Sequence, residues 1–433
     1  MSILIQNGRI IDPVTGLDEK SDILIEGDTI RKVAPNLPVP EQAEIIDAQN
    51  CIVTAGLMDM HVHLREPGYE AQEDIESGSL AAAHGGFTAV ACMANTNPVV
   101  DNAAVVRAIL LRAAEAGHCR VYPIGSITKG LEGKELAEIG DMVEAGIKAV
   151  SDDGKPVKDS SVMRNGLLYA KALGIPVISH CEDSDLSTGG SMNEGYYSTA
   201  LGLRGIPAAA EEIMVARDCI LAEATGAKLH IAHVSTAGSV RIIREAKARG
   251  VCVTCEAAPH HFSLTDENLV GYDTNLKVNP PLRSKSDVEA VIEGLQDGTI
   301  DVIASDHAPH TREAKEVEFD YAPFGISGIE TELALVVTNL IQPGYLDWMQ
   351  ALKKLSVAPA EILGIPLSGI REGSRADLTV LDPNLERKVD VNLFKSKGKN
   401  SPFNGRVLKG WATATIYGGK LTAGKAWNKQ HKS

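Results

Sequence analysis

The sequence predicts an α/β fold: a (β/α)8 barrel of the TIM type, joined to a small β-sandwich domain that both ends of the chain build. Strand-like and helix-like runs alternate through the middle of the chain. Residues with metal-ligand chemistry close the strand-like runs, and the two ends read as short strands separated by turns. Alternation sustained over about 250 residues is what eight parallel strands, each followed by a helix, require.

Taken in order, Ile3-Leu4-Ile5-Gln6-Asn7-Gly8 leads an apolar run into an Asn-Gly turn. Asp22-Ile23-Leu24-Ile25-Glu26-Gly27 gives a second strand and turn. Eight apolar runs follow, at 56–64, 87–93, 120–124, 149–151, 177–180, 228–233, 251–256 and 301–305. Continuous apolar character, rather than alternation, marks a parallel strand buried on both faces. Between these runs, 103–116, 208–224 and 239–248 carry helical patterning. The tail returns to strands at Ala376-Asp377-Leu378-Thr379-Val380-Leu381 and Ala414-Thr415-Ile416-Tyr417-Gly418-Gly419. Residues 1–54 and 365–433 are therefore expected to form the β-rich domain, and 55–364 the barrel.

Composition excludes several function classes. With 44% hydrophobic and 23% charged residues the chain can bury a core, and 40 glycines against 4% aromatics suit many tight turns. A net charge of −15 argues against a nucleic-acid surface, which needs a basic stripe. It leaves room for a small anionic substrate, because the local field of a cleft matters more than the total. Seven cysteines, at 51, 92, 119, 181, 219, 252 and 255, show no framework spacing and point to reduced thiols. No basic stretch leads into an apolar core at Met1-Ser2-Ile3-Leu4, and no run of about 18 apolar residues occurs. The expectation is a cytoplasmic protein without a membrane span.

Asp59-Met60-His61-Val62-His63 is the strongest chemical signal. Residues i and i+2 of a strand face the same side, so both imidazoles can meet one ion. Two histidines lining a polar core would look the same, and position separates the readings. Asp152-Asp153 follows the fourth run, His180 ends the fifth, His233 the sixth, and Asp306 follows the eighth. Barrel enzymes gather their reactive groups at the C-terminal ends of strands. Imidazoles mixed with carboxylates suit zinc or another divalent first-row ion, and a carboxylate can bridge two such ions. Asp152 and Asp153 cannot be told apart at this level. Cys252 and Cys255 face opposite sides of a strand, which favours packing over chelation. His260 and His261 stay unassigned, and His84, His118, His230 and His431 show no partner pattern, so a structural or exposed place is expected. Neither a phosphate loop nor a Gly-x-Ser-x-Gly nucleophile is present.

His61-Val62-His63-Leu64-Arg65-Glu66-Pro67-Gly68, Glu73-Asp74-Ile75 and Met93-Ala94-Asn95-Thr96-Asn97-Pro98 resemble bacterial dihydroorotases of the long, class I type, in the amidohydrolase superfamily. Ser305-Asp306-His307-Ala308-Pro309-His310 and Phe324-Gly325-Ile326-Ser327-Gly328-Ile329-Glu330-Thr331 fit the same family. His-x-His alone is shared across the superfamily. Arg65 together with the Asn95 segment and Asn279-Pro280-Pro281-Leu282-Arg283 is more specific, and the likeness covers essentially the whole chain.

The resemblance implies one or two zinc ions. His61, His63, Asp153 and Asp306 would surround one, and Asp153, His180 and His233 a second, with Asp153 bridging. Relatives that act on hydantoin or allantoin bridge with a carboxylated lysine; Lys148 lies several residues before the aspartate pair, so no such lysine is expected. Arg65, Asn95 and His310 would hold a substrate carboxylate, Asn279 and the backbone at Phe324 and Gly325 would meet the ring, and His63 would also touch substrate. Asp306 would serve as catalytic base and acid. The implied reaction is cyclisation of N-carbamoyl-L-aspartate to dihydroorotate in pyrimidine biosynthesis. A homodimer is implied, and a complex with aspartate carbamoyltransferase is possible. The competing readings are a hydantoinase, dihydropyrimidinase or allantoinase, or a catalytically silent partner of aspartate carbamoyltransferase. The polar stretch 310–322 is expected to be a mobile loop shaping the pocket.

Overall fold

The computed structural model describes residues 2–425 and the backbone of 427–428. Eight parallel strands organise the middle of the chain: β1 Leu57–Val62, β2 Phe87–Cys92, β3 Arg120–Pro123, β4 Val150–Ser151, β5 Val177–Ser179, β6 Leu229–Ile231, β7 Val253–Ala257 and β8 Val302–Ile303. They pair in chain order as two runs, β1 to β3 and β4 to β8. Single bridges join the runs at both ends, Gly125 to Val150 and Val62 to His307, so the order of pairing returns to its start. His63 N–H donates to the His307 carbonyl at 2.8 Å across that last seam.

Strand neighbours point into different packing layers. Val90 and Cys92 pack with helix residues such as Val106 and Ile109, whereas Ala91 and Met93 pack with Met58, Ile124, Ile178, Ala232 and Val302. Both faces of the strands are thus buried, which is why their sequence reads as unbroken apolar runs.

The helices follow from local chemistry. In α1, Ala103–Ala116, the Asn102 side chain accepts from the N–H groups of Ala104 and Val105, and Gly117 ends the helix at φ 66°. Its buried face is Val105, Val106, Ile109 and Ala113, a spacing of one helical turn. Each fully buried aliphatic side chain there is worth about 1.5–3 kcal/mol. The helix expected at 208–224 is Ala208–Thr225. That expected at 239–248 begins earlier, at Ala237, because Thr236 accepts from Ser239 N–H and caps it.

Among the described residues, two larger sheets lie outside the parallel strands, besides the short pair Met192–Asn193 and Gly205–Ile206. One joins Ser2–Gln6, Asp22–Glu26, Thr29–Ala34 and Glu44–Asp47 with Trp427–Asn428. The other joins Arg9–Asp12, Leu17–Lys20 and Ile52–Ala55 with Leu378–Lys388, Val407–Tyr417 and Lys420–Gly424. Ile3, Ile5, Ile23 and Ile25 from the first sheet share a hydrophobic cluster with Ile10, Val53, Val380 and Ile416 from the second. Segment 389–403, between the long strands of the tail, leaves these sheets. Val389 and Phe403 pack with Leu264, Val278, Phe319 and Ile326 beside the loops that follow β7 and β8. Among the described residues no helix is long and apolar enough to cross a membrane.

Candidate active site

The strand ends converge. His61 lies within β1 and His63 just beyond it; Asp153, His180, His233 and Asp306 lie just past β4, β5, β6 and β8. Asp153 stands at their centre. Its Oδ1 is 3.5 Å from His61 Nε2, His180 Nδ1 and His233 Nε2, and its Oδ2 is 3.5 Å from His63 Nε2. Asp306 Oδ1 is 3.2 Å from His63 Nε2 and 3.6 Å from His61 Nε2. The aspartate pair divides its work: Asp152 turns away and accepts from Ile127 N–H at 2.7 Å, Thr128 N–H at 3.1 Å and the Thr128 hydroxyl. His233 and Asp306 have positive φ, 32° and 46°, as does Arg65 at 61°. Left-handed backbone costs a non-glycine residue about 1–3 kcal/mol and gathers at functional sites.

Each of three histidines is oriented by an acceptor behind it. His61 Nδ1 lies 2.5 Å from Glu256 Oε1, His63 Nδ1 lies 2.9 Å from Asn95 Oδ1, and His180 Nε2 lies 3.0 Å from Glu182 Oε2. With an ion bound, each ring would keep that N–H and turn the lone pair of its opposite nitrogen to the Asp153 side, the arrangement that metal-ligating imidazoles need. The chemistry of the donor set fits a divalent ion. His61 Nε2 and Asp153 Oδ1 are buried with no hydrogen-bond partner among the described residues. Ligand atoms about 2.0–2.2 Å from a shared ion stand about 3.3 Å apart across a tetrahedral edge, close to the spacings above. His61, Asp153 and His233 form one possible ligand triad, and His61, His63 and Asp306 another.

The electrostatics agree. Burial alone would raise the Asp306 carboxyl, but the hydrogen bond from His63 and the charges of His61 and His63 hold it near about 2. Asp153 is held well below the ordinary carboxylate range, against its burial, by the imidazoles of His61, His180 and His233 around it. Burial would lower His180, yet the carboxylates of Asp153 and Glu182 lift it to about 10. Four enclosed carboxylates, Asp153, Asp306, Glu182 and Glu256, make this a centre that demands positive charge.

Beside the cluster opens a cavity of about 200 Å³, and His63, Arg65, Asn95, Asn279, His310, Phe324 and Gly325 all line it together with Asp153, His180, His233 and Asp306. His61 lies behind the wall, fully buried. Arg65 Nε donates to the Pro309 carbonyl at 3.3 Å, and its Nη2 is 3.5 Å from His310 Nε2. Burial pulls the Arg65 guanidinium down to about 10, with Asp306 and Asp153 opposing, so it stays charged. Because Asn95 Oδ1 accepts from His63, its Nδ2 is the end left to donate. His310 Nε2 lies 2.7 Å from the Phe324 carbonyl, and burial together with Arg65 lowers the ring to about 3, so a neutral imidazole spends its N–H on Phe324. Gly325 admits no side chain: at φ 143° a Cβ would stand 2.6 Å from the Ala308 carbonyl.

Several supporting residues had weaker sequence signals or none. Glu256 also lies 3.1 Å from His230 Nε2, which makes His230 a buried member of the His61 support. A carboxylate inside the apolar run Val253–Ala257 was the available signal, because a charge enclosed in a strand needs a partner. Asn400, from segment 389–403, donates to the carbonyls of Ala308 at 3.1 Å and Gly325 at 3.0 Å and accepts from His310 N–H at 3.0 Å. Segment 311–325 is tied down by lysines. Lys315 Nζ donates to Pro323 and Thr274 carbonyls at 2.7 and 3.0 Å, and Lys277 Nζ donates to Phe319 O at 2.8 Å and stands 4.8 Å from the centre of the Phe324 ring. His261 donates to the Pro280 carbonyl at 3.0 Å behind Asn279, while buried His260 belongs to neither triad. Cys252 is exposed and Cys255 buried. His84 is exposed, His118 pairs with Glu76 at 2.8 Å, and His431 lies outside the described residues.

The chain is similar to known proteins over most of its length. Residues 50–239 match a family model described as Dihydro-orotase-like. A dihydroorotase of Pelotomaculum thermopropionicum is 58% identical over 97% of this chain and 98% of its own. One from Acetivibrio thermocellus is 53% identical over 97% and 98%. Among solved structures, an L-hydantoinase (dihydropyrimidinase) from Arthrobacter aurescens superposes with a TM-score of 0.86 at 26% identity, over 98% of this chain and 97% of that one. A D-hydantoinase from a Thermus species gives 0.83 at 27%, over the same shares.

Proposed function

The chain belongs to the dihydroorotase family, and on that premise we propose that its cavity interconverts N-carbamoyl-L-aspartate and (S)-dihydroorotate, the ring-closing step of pyrimidine (UMP) synthesis. The observation that carries the reading is a guanidinium with no carboxylate partner among the described residues, Arg65, facing the histidine–aspartate cluster across one cavity. A ring carboxylate separates dihydroorotate from hydantoin, dihydrouracil and allantoin, and a charged fork is the group that recognises it. The site reads as zinc-dependent and class I within the amidohydrolase superfamily, set at the C-terminal ends of a (β/α)8 barrel spanning 55–364, with 1–54 and 365–433 as the second domain.

His61, His63, Asp153 and Asp306 would hold one zinc and Asp153, His180 and His233 a second, with Asp153 between them. Bound there, the metal would supply Lewis acidity toward a carbonyl and a water acidic enough to attack it at neutral pH. The chain's own residues do the rest. Arg65 and the Asn95 amide N–H anchor the substrate carboxylate, and His310 holds the Phe324 carbonyl in place beside them. Asn279 and the 324–325 backbone flank the ring. Asp306, ionised at neutral pH, accepts the proton of the attacking water and returns it to the ring nitrogen as the amide bond breaks. In the reverse direction it removes the ureido proton as that nitrogen closes on the carboxyl carbon, and passes it to the carboxyl oxygen, which with a second proton from solvent leaves as water. N-carbamoyl-aspartate carries two negative charges and dihydroorotate one, so closure takes up a proton and is favoured as pH falls.

Ring opening of dihydroorotate, hydantoin, dihydrouracil and allantoin by the purified protein, with metal content measured on the same sample, tests the reading. Turnover confined to dihydroorotate, lost on chelation and restored by zinc, is the expected result. Turnover of an uncharged ring would transfer the site to the hydantoinases. No turnover from metal-loaded protein would make it a silent partner. A homodimer and association with aspartate carbamoyltransferase rest on family likeness, and sedimentation with and without that enzyme checks both.

A further inference from the structure

Glu182 belongs neither to the proposed ligand set nor to the cavity wall, yet it touches both. It lies two residues beyond His180, with its side chain 15% exposed. One oxygen, Oε2, serves two groups: His180 Nε2 at 3.0 Å and Asn279 Nδ2 at 2.9 Å. We propose that Glu182 is a positioning residue that sets the geometry of the metal ligand His180 and the polarity of the ring contact Asn279 through this single shared oxygen. The inference rests on the functional reading above, which assigns His180 and Asn279 those roles.

The argument is one of donors and acceptors. A carboxylate only accepts, so His180 donates from Nε2, and Nδ1, 2.9 Å from His233 Nε2 and 3.5 Å from Asp153, is the nitrogen left to ligate an ion. The same constraint fixes the Asn279 amide. Its nitrogen is committed to Glu182, so its carbonyl oxygen is the end left for a ring N–H. Without an obligate acceptor, the Asn279 amide can turn over and offer a donor where the ring also offers one. Gln has nearly the shape of Glu but presents an NH2 as well as a carbonyl, so it permits both orientations of Asn279 and also weakens the support of His180. Acceptors behind metal-bound histidines typically matter about 10–100-fold in metal affinity.

The test uses the full-length protein with Glu182→Gln, Glu182→Asp and Asn279→Ala, alone and with the Gln and Ala changes combined. Zinc affinity is read by competition with a chromogenic chelator. Binding of orotate, which carries the same ring carboxylate and N–H groups, is read by calorimetry on zinc-loaded protein, and thermal melts report folding. E182Q is expected to weaken zinc about 10-fold or more and to raise the orotate Kd and the KM for dihydroorotate as far as N279A does. N279A should leave zinc affinity unchanged, and in the combined variant the Asn279 change should add nothing to orotate binding. E182D, which keeps the charge, should recover part of both losses. Unchanged zinc affinity in a folded E182Q, or orotate losses that simply add, would overturn the proposal. If wild-type protein opens hydantoin and not dihydroorotate, the substrate assignment falls, and the zinc arm by itself decides for or against Glu182.

Discussion

The two halves of the cavity are built differently. The inner half, His61, His63, Asp153, His180, His233 and Asp306, stands on or just past strand ends and is braced by carboxylates, Glu256 on β7 and Glu182 beside β5. The outer half depends on loops. His310, Phe324 and Gly325 keep their places through Asn400, Lys277 and Lys315, whose bonds run mainly to backbone carbonyls. Rigid strands place the groups that would hold metal and move protons, and cross-tied loops place the groups that would recognise substrate. Chemistry and recognition should therefore fail separately when each half is damaged.

The largest effect is expected from Asp306→Asn. Turnover should fall by about 10³-fold or more, as for loss of a general base, while most metal and the affinity for orotate remain. If orotate binding collapsed with it, the two halves would not be separable. Arg65→Gln should do the opposite: kcat/KM for dihydroorotate falls about 10²-fold, mostly through KM, because a charged partner of the substrate is truncated. Zinc content should not move, and a kcat loss at unchanged KM would remove Arg65 from carboxylate recognition. Asn400→Ala deletes four hydrogen bonds from a residue that does not line the cavity. Stability should drop by about 1–3 kcal/mol and KM rise a few-fold, measured by denaturant melts and steady-state kinetics. A wild-type KM would show that the loop keeps its shape without this tie.

The smallest effect concerns pH. Burial raises the Glu330 carboxyl to about 7, even though the N–H groups of Ser396 and Lys395 pull it the other way. Between the ordinary value of 4.5 and about 7, the folded chain keeps a proton that the unfolded chain has released. Stability from this group is therefore whole at low pH and is lost as pH rises through that window. Glu330→Gln resembles the protonated acid and escapes the loss. Its Tm relative to wild type should climb as pH goes from 4.5 to 7 and level off above. A flat difference would show that Glu330 is ionised throughout.

Legibility followed the same division. Local pattern found the eight strands, because burial on both faces forces unbroken apolar runs, and it found the residues that close them. It could not separate Asp152 from Asp153, since adjacent residues point apart and only the Thr128 turn, captured by Asp152, reveals which one is free. It also missed Asn400, whose partners Ala308 and Gly325 are far off in the chain and whose own surroundings carry no pattern.

By itself, then, the sequence determined the order of strands and helices, the histidines and aspartates at strand ends, and Arg65 as a candidate anion-binding group, because periodicity and residue type act locally. Only the tertiary structure decided which carboxylate centres the histidines, which acceptors orient them, and what fastens the loop that carries Phe324. Those outcomes depend on hydrogen bonds between residues far apart in the chain, and such distances exist only once the chain has folded.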